Sequence, residues 1–309
     1  MKHLWWGLVL ILCACGRSAG KTSEAESIDL ADRAWARGDS LQSQSVLEEL
    51  LRHHPKSFGA LYRMALFPID SQPEVALERL TELARLDPKH PGPVFYAGLA
   101  RLRLNDFNRA EEDLRRGCAL AQARLGYALD DTSEAAREGL AAWKSGKFSA
   151  AAAAFGRAVA ADPGNATLWY LEGRAAVSAG DLEGAMQATE KALAKRPSFA
   201  AAHALKGEIL RLKKQAPEAR QEVELALKDD PQRVEALYQL GLLDLDAGEA
   251  RAAALDFWHA VLADPTYPPP HQALGQTFMR MEQPRQGMPF YQHYEWVQGF
   301  LLRNSGRNN

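Results

Sequence analysis

Residues 166–199 read ATLWYLEGRAAVSAGDLEGAMQATEKALAKRPSF, and the stretches on either side repeat their plan. Pro163, Pro197, Pro231 and Pro265 stand 34 residues apart, and so do Ala151, Ala185, Ala219 and Ala253. Gly139, Gly173, Gly207, Gly241 and Gly275 keep the same interval. Each position has a mechanical reason. A small residue at unit positions 8, 20 and 27 lets two paired helices approach closely. A larger one at position 24, Phe155 or Phe257, fills the space between them. Glycine at position 15 suits the turn between the helices, because positive φ costs it little. Proline at position 32 cannot continue the second helix. Asp162-Pro163, Asp230-Pro231 and Asp264-Pro265 are turn-initiating pairs. One such helix pair cannot bury its own apolar face, so the units must stack.

The pattern resembles the tetratricopeptide repeat, whose template reads W-x-x-L-G-x-x-Y, then A-x-x-x-F, then P. Trp169, Gly173, Gly180, Ala185, Ala192 and Pro197 carry it in residues 166–199. Leu237, Leu240, Gly241, Gly248, Ala253, Phe257, Ala260 and Pro265 carry it in residues 234–267. Residues 132–165 and 200–233 complete four units in register. Outside that block the pattern decays. Gly98, Phe107, Ala110 and Leu114 persist in 91–124, and Ala76, Leu80 and Pro88 in 57–88. The weakest unit, 24–56, keeps Leu30, Ala31, Gly38, Leu47 and Leu50. Residues 125–131 intervene between units. The resemblance implies an all-α fold, a right-handed α-solenoid of about seven to eight helix hairpins over residues 28–299. Phe290, Tyr294, Val297 and Leu301 recur at helical spacing and read as a C-terminal capping helix; residues 300–309 read as a disordered tail.

Composition narrows the function. The chain has 309 residues, 47% of them hydrophobic and 25% charged, as in folded globular chains. Lys plus Arg number 37 against 39 Asp plus Glu, a net charge of −2 that gives no general attraction to nucleic acid. Three cysteines cannot staple a disulfide-rich fold.

The first residues carry a different message. Met1-Lys2-His3 is a short basic start, and Leu4 to Leu12 is an apolar run of nine, too short to span a hydrocarbon core of ~30 Å. Leu12-Cys13-Ala14-Cys15 resembles the bacterial lipobox, with Leu12 and Ala14 in place before Cys15. That resemblance implies a signal peptide over residues 1–14, acylation of Cys15 and a lipidated tether over 15–27. Two or more acyl chains hold a protein stably at a membrane where one does not. Gly16 in place of Asp after the lipidated Cys implies the outer membrane, on the periplasmic face. Gly16-x-x-x-Gly20-Lys21-Thr22 is one residue short of a P-loop and follows no strand, so no nucleotide site is read there.

No catalytic constellation is found, and the expectation is a protein that is not an enzyme and needs no cofactor or metal. Glu49 and His53 lie four apart at a helix end, which suits a solvated last turn better than a metal site. Cys118 falls at an inward position and reads as a buried thiol. In tetratricopeptide repeats, unit positions 2, 5, 9, 12 and 13 face the concave groove. There the sequence places Phe95, Trp143, Tyr170, Arg174, Arg211 and Tyr238. Aromatic and Arg side chains are the usual anchors of binding surfaces. The resemblance thus implies a membrane-anchored scaffold that binds a protein or peptide partner in its groove, in the bacterial cell envelope. An alternative is an envelope chaperone of the pilus-secretin or β-barrel assembly type.

Overall fold

The computed structural model of the chain describes residues 23–124 and 133–305, with part of the side chains of the last helix. The signal peptide, Cys15 and the intervening segment 125–131 lie outside the described residues, as do the side chains of Val297 and Leu301. Sixteen helices are described, and they run as eight hairpins. The first three are α1 (Glu24–Ala36) with α2 (Ser40–His53), α3 (Phe58–Leu66) with α4 (Pro73–Leu86), and α5 (Pro91–Arg103) with α6 (Phe107–Arg124). The next three are α7 (Glu134–Lys144) with α8 (Phe148–Ala161), α9 (Ala166–Ala179) with α10 (Leu182–Lys195), and α11 (Ala200–Leu212) with α12 (Ala216–Asp229). The last two are α13 (Val234–Asp246) with α14 (Ala250–Ala263), and α15 (Pro268–Arg280) with α16 (Pro284–Ser305).

The period survives where the residue pattern fades. α8, α10, α12, α14 and α16 begin at Phe148, Leu182, Ala216, Ala250 and Pro284, each 34 residues after the last. The capping helix is therefore also the second helix of an eighth hairpin in register. It runs on to Ser305, past residue 299 where the sequence reading ends the array.

Close approach is built as the small residues require. A Cβ on Gly139 would stand 2.7 Å from the Phe155 ring, and one on Gly241 2.6 Å from the Phe257 ring. On Gly207 it would meet Val223 at 2.6 Å, and on Gly173 Thr189 Oγ1 at 2.8 Å. Each partner lies sixteen residues on, at position 24, so glycine at position 8 admits whatever fills the gap. The hairpin turns pass through the left-handed region at Gly38, Gly146, Gly180 and Gly248. Asn105, Lys214 and Glu282 hold the same turn at φ of 60°, 64° and 59° without being glycine. The Asp-Pro pairs close three of the four in-register units: Asp162, Asp230 and Asp264 each accept, at Oδ1, the backbone N–H two residues on, at 3.2, 3.2 and 2.8 Å. The helix C-terminus is thereby followed by a fixed turn rather than a frayed one.

The array closes on itself. α14 packs directly against α1. Trp35 of α1 stacks on Trp258 of α14 with ring centroids 4.1 Å apart, and Phe278 of α15 and Phe290 of α16 meet its edge at 5.2 and 5.7 Å. One apolar core, including Tyr62, Phe95, Tyr96, Phe257, Leu274 and Phe278, runs from the first three hairpins into the last two. Beside it, Asp32 is a buried carboxylate with four donors. Its Oδ1 accepts from Arg63 Nε at 2.7 Å and Trp258 Nε1 at 3.0 Å. Its Oδ2 accepts from Arg63 Nη2 at 2.6 Å and pairs with His259 Nε2 at 3.1 Å. Burial pushes this carboxyl up, but the Arg63 charge and the bonds from His259 and Arg63 outweigh it and hold it down at about 2.

Candidate protein-binding face

The inner face expected to bind a partner divides into two parts. In the first three hairpins it is covered. Phe95 is 1% exposed and packs on α6, where its Cβ would lie 2.9 Å from a Cβ on Gly117; it is a core residue, not a groove residue. Gly117 lets α6 come against the α5 backbone at Phe95, and the Phe95 side chain lies in the large core beside Tyr96. Arg103, the last residue of α5, bonds Asp70 at 2.6 Å and Gln292 of α16 at 2.9 Å.

The inner face of α7, α9, α11 and α13 carries the remaining candidates. Trp143 is half-buried, its ring edge-on to Phe148 at 5.3 Å. Tyr170 is 4% exposed and tilted against Phe199 at 5.3 Å, so it too is packing rather than open surface. The loop that ends the same unit brings Phe199 over the ring, which unit position alone does not reveal. Arg174 on α9 pairs with Glu208 on α11, at the same position of successive units, and its side chain remains 24% exposed. Burial works against its charge, and Glu208 more than offsets this. Arg211 donates to Gln239 at 3.0 Å and approaches Asp246 at 3.4 Å, both on α13. These pairs tie neighbouring repeats together and leave the guanidinium groups partly open. Tyr238 is half-buried between Phe257, at 5.7 Å, and Tyr267, at 6.1 Å. Around them Leu140 and Leu212 stand 36% and 41% exposed at inner-face positions. The face therefore offers an apolar track with paired charges along it.

Asp32 and Trp35 were not singled out from the sequence. Their signal was there: counted from Glu24 they occupy unit positions 9 and 12. The groups weighed for chemistry, His53 and Cys118, lie far apart on α2 and α6. His53 pairs with Glu49 at 3.0 Å on an exposed helix end, where Glu49 also meets Arg52. Cys118 is buried, and burial, with Asp264 nearby, pushes its thiol up to about 12, far from a reactive thiolate. Among the described residues no group of three or more His, Cys, Asp or Glu is placed to hold a metal, and no helix is long and apolar enough to cross a membrane.

Stacked hairpins at a fixed period define a helical repeat protein, a class whose work is done by its faces. Two family models of the tetratricopeptide repeat match residues 136–198 and 176–243. The chain thus carries tetratricopeptide repeats over residues 136–243, within a stack of eight helix hairpins. Its fold is similar to the crystal structure of MamA, at 18% identity and a TM-score of 0.41, over 53% of this chain and 96% of that one. MamA from Desulfovibrio magneticus RS-1 is similar at 21% identity and a TM-score of 0.41, over 54% and 97%. PilW, a type IV pilus biogenesis factor, is similar at 20% identity and a TM-score of 0.46, over 53% and 76%. No curated protein sequence matches.

Proposed function

We propose that the protein is a scaffold tethered to the bacterial cell envelope by a lipid on Cys15, at the periplasmic face of the outer membrane. There it holds a protein partner along the inner face of α7, α9, α11 and α13. The observation that carries the binding reading is the exposure of Leu140 and Leu212 at inner-face positions, beside the half-buried Trp143 and Tyr238. An extended segment or amphipathic helix lying there would cover these side chains, while Arg174 and Arg211 would meet its carboxylates or carbonyls.

The test combines two measurements on the full-length protein. Leu212→Glu places a charge on the track without opening the core, so the melting temperature should hold while recovery of the partner from solubilised membranes falls. Loss of one anchor is worth ~1–3 kcal/mol, roughly tenfold or more in affinity. Unchanged recovery would remove this face from consideration. Cys15→Ser should move the protein out of the membrane fraction or trap the precursor, and unaltered membrane retention would refute the lipid tether.

A further inference from the structure

Three inner-face residues of the first and third hairpins are engaged by the end of the same chain. Trp35 lies under Trp258, Phe278 and Phe290. Asp32 binds Trp258 and His259. Arg103 donates to Gln292. α14 and α15 supply Trp258, His259 and Phe278, and α16, packed on α15, adds Phe290 and Gln292. Phe290 is its buried apolar anchor, 7% exposed. One turn earlier, Gln286 Nε2 donates to the Trp35 carbonyl at 3.1 Å, and Gln283, just before the helix, donates to the Arg37 carbonyl at 3.0 Å. These are carbonyls at the end of α1; that of Trp35 also accepts the Gly38 N–H at 2.9 Å, so the Gln286 amide is a further donor there. One turn later, His293 lies against Tyr96 of α5, with ring centroids 6.1 Å apart.

The same helix is poorly supported by its own sequence. Pro289 lies inside it, removing an N–H and crowding the preceding turn. Gly287 admits the close approach of α15, where a Cβ would stand 2.9 Å from the Gly275 carbonyl oxygen, and glycine weakens a helix interior. Contacts, rather than intrinsic helix preference, hold α16 in place.

We propose that α16 is an internal ligand. It occupies a second docking surface, on the inner faces of α1 and α5, that takes a partner helix of the same chemistry when α16 is displaced. That partner would present an aromatic anchor with a glutamine one turn before it. The glutamine amide would donate to the carbonyls at the end of α1, the aromatic ring would lie against Trp35, and a polar side chain past the anchor would accept from Arg103. The surface differs from the track on α7 to α13 and does not depend on it.

A labelled synthetic peptide of residues 284–305 serves as the probe, added to the full-length protein. In a variant carrying Gln286→Ala, Phe290→Ala and Gln292→Ala the internal ligand is weakened and the docking surface is untouched. The peptide should bind this variant at least tenfold more tightly than wild type, and adding Arg103→Ala should remove the gain. Equal binding to variant and wild type, or binding indifferent to Arg103→Ala, overturns the proposal. A second measurement covers the case in which the triple variant does not fold. The Arg37→Cys, Gln283→Cys protein, which keeps Arg103 and Gln292, is joined in a Cys118→Ser background by a thiol-reactive linker with a reducible bond. Peptide binding should be absent while the linker is intact and appear when it is cut; no change on cutting overturns the proposal.

Discussion

Replacing Asp32 with Ala tests whether the closure of the array is a structural necessity. The carboxylate side chain is 3% exposed and its partner Arg63 13%. Truncation leaves the guanidinium buried without a counter-charge and the Trp258 N–H without its acceptor, at the point where the first and seventh hairpins meet. Breaking a buried pair by removing one partner costs about 3–5 kcal/mol, because the surviving charge is left uncompensated. The lost Trp258 bond falls within that figure and is not added to it, since both donors share one carboxylate. Against a total stability of ~5–15 kcal/mol for a domain, the loss is large. Urea unfolding followed by tryptophan fluorescence and by circular dichroism measures it. The fluorescence transition, which reports the Trp35–Trp258 stack, should come first and separate from the dichroism transition, because stacked repeats need not unfold as one. Asp29→Ala is the control. Asp29 pairs with Arg33 on the same helix at 2.9 Å, with both side chains about half exposed, and such pairs contribute ~0.5 kcal/mol or less. Adding Arg63→Leu to Asp32→Ala should restore part of the stability, since an apolar replacement of both partners removes the orphaned charge. A loss under ~1 kcal/mol for Asp32→Ala, or one equal to that of Asp29→Ala, would refute the closure as drawn.

Two further outcomes follow from the turns and from the buried histidines. Lys214 stands at φ 64°, 34 residues from Gly180 and from Gly248. A left-handed residue with a Cβ costs ~1–2 kcal/mol, and glycine's greater freedom when unfolded returns ~0.5–1 of it. Lys214→Gly should therefore stabilise by ~0.5–1 kcal/mol and Gly180→Ala destabilise by a similar amount, since nothing lies within 4 Å of a Cβ on Gly180; thermal unfolding with the reverse order would refute this. His271 and His293 are held neutral: burial lowers them to about 3 and about 4, helped respectively by His293 and by Arg103. Their folded values lie below the unfolded value of about 6.5, so this stability is full above pH 6.5. It falls as the pH drops toward 4, because only the unfolded chain takes up the protons. Each histidine contributes a slope of up to ~1.4 kcal/mol per pH unit, and His293→Phe should flatten the loss between pH 6.5 and 4. Asp32 adds its own loss lower, as the pH falls from 3.8 toward about 2. A stability flat from pH 7 to 4.5 would contradict the buried, neutral pair.

The hairpins were legible because their constraints are local. Gly139, Gly173, Gly207 and Gly241 each face a partner sixteen residues away within one unit, so spacing alone exposes the contact. The Asp-Pro turns are shorter still: Asp162 and Asp230 bond a backbone N–H two residues on. The inner face was legible only in part. Arg174 and Arg211 lie where the repeat positions put them, but their pairing with Glu208 and with Gln239 and Asp246 depends on the pitch between units. Phe95 and Tyr170 lie at groove positions yet are covered, by the large core beside Tyr96 and by the Phe199 ring. The closure was not legible at all: Asp32 and Trp258 are 226 residues apart, and no periodicity reports a contact of that span.

That long contact also explains why the pattern fades at both ends. In an open stack, a terminal unit exposes on one side the face that every internal unit buries against a neighbour, and must be made polar there to stay soluble. Here the ends cover one another. Trp35 finds Trp258 and Phe290 instead of the small residues of an adjoining repeat, and Gln283 and Gln286 add donors at the end of α1 beyond its own Gly38 turn. Residues at the ends therefore answer to each other rather than to the 34-residue plan, and departure from that plan is the trace the closure leaves in the sequence. The same geometry fixes which surface stays open. With the inner faces of α1 and α5 engaged by α14 and α16, the uncovered inner-face track runs along α7, α9, α11 and α13. Its exposed leucines lie on α7 and α11, and the half-matched ends support it from either side.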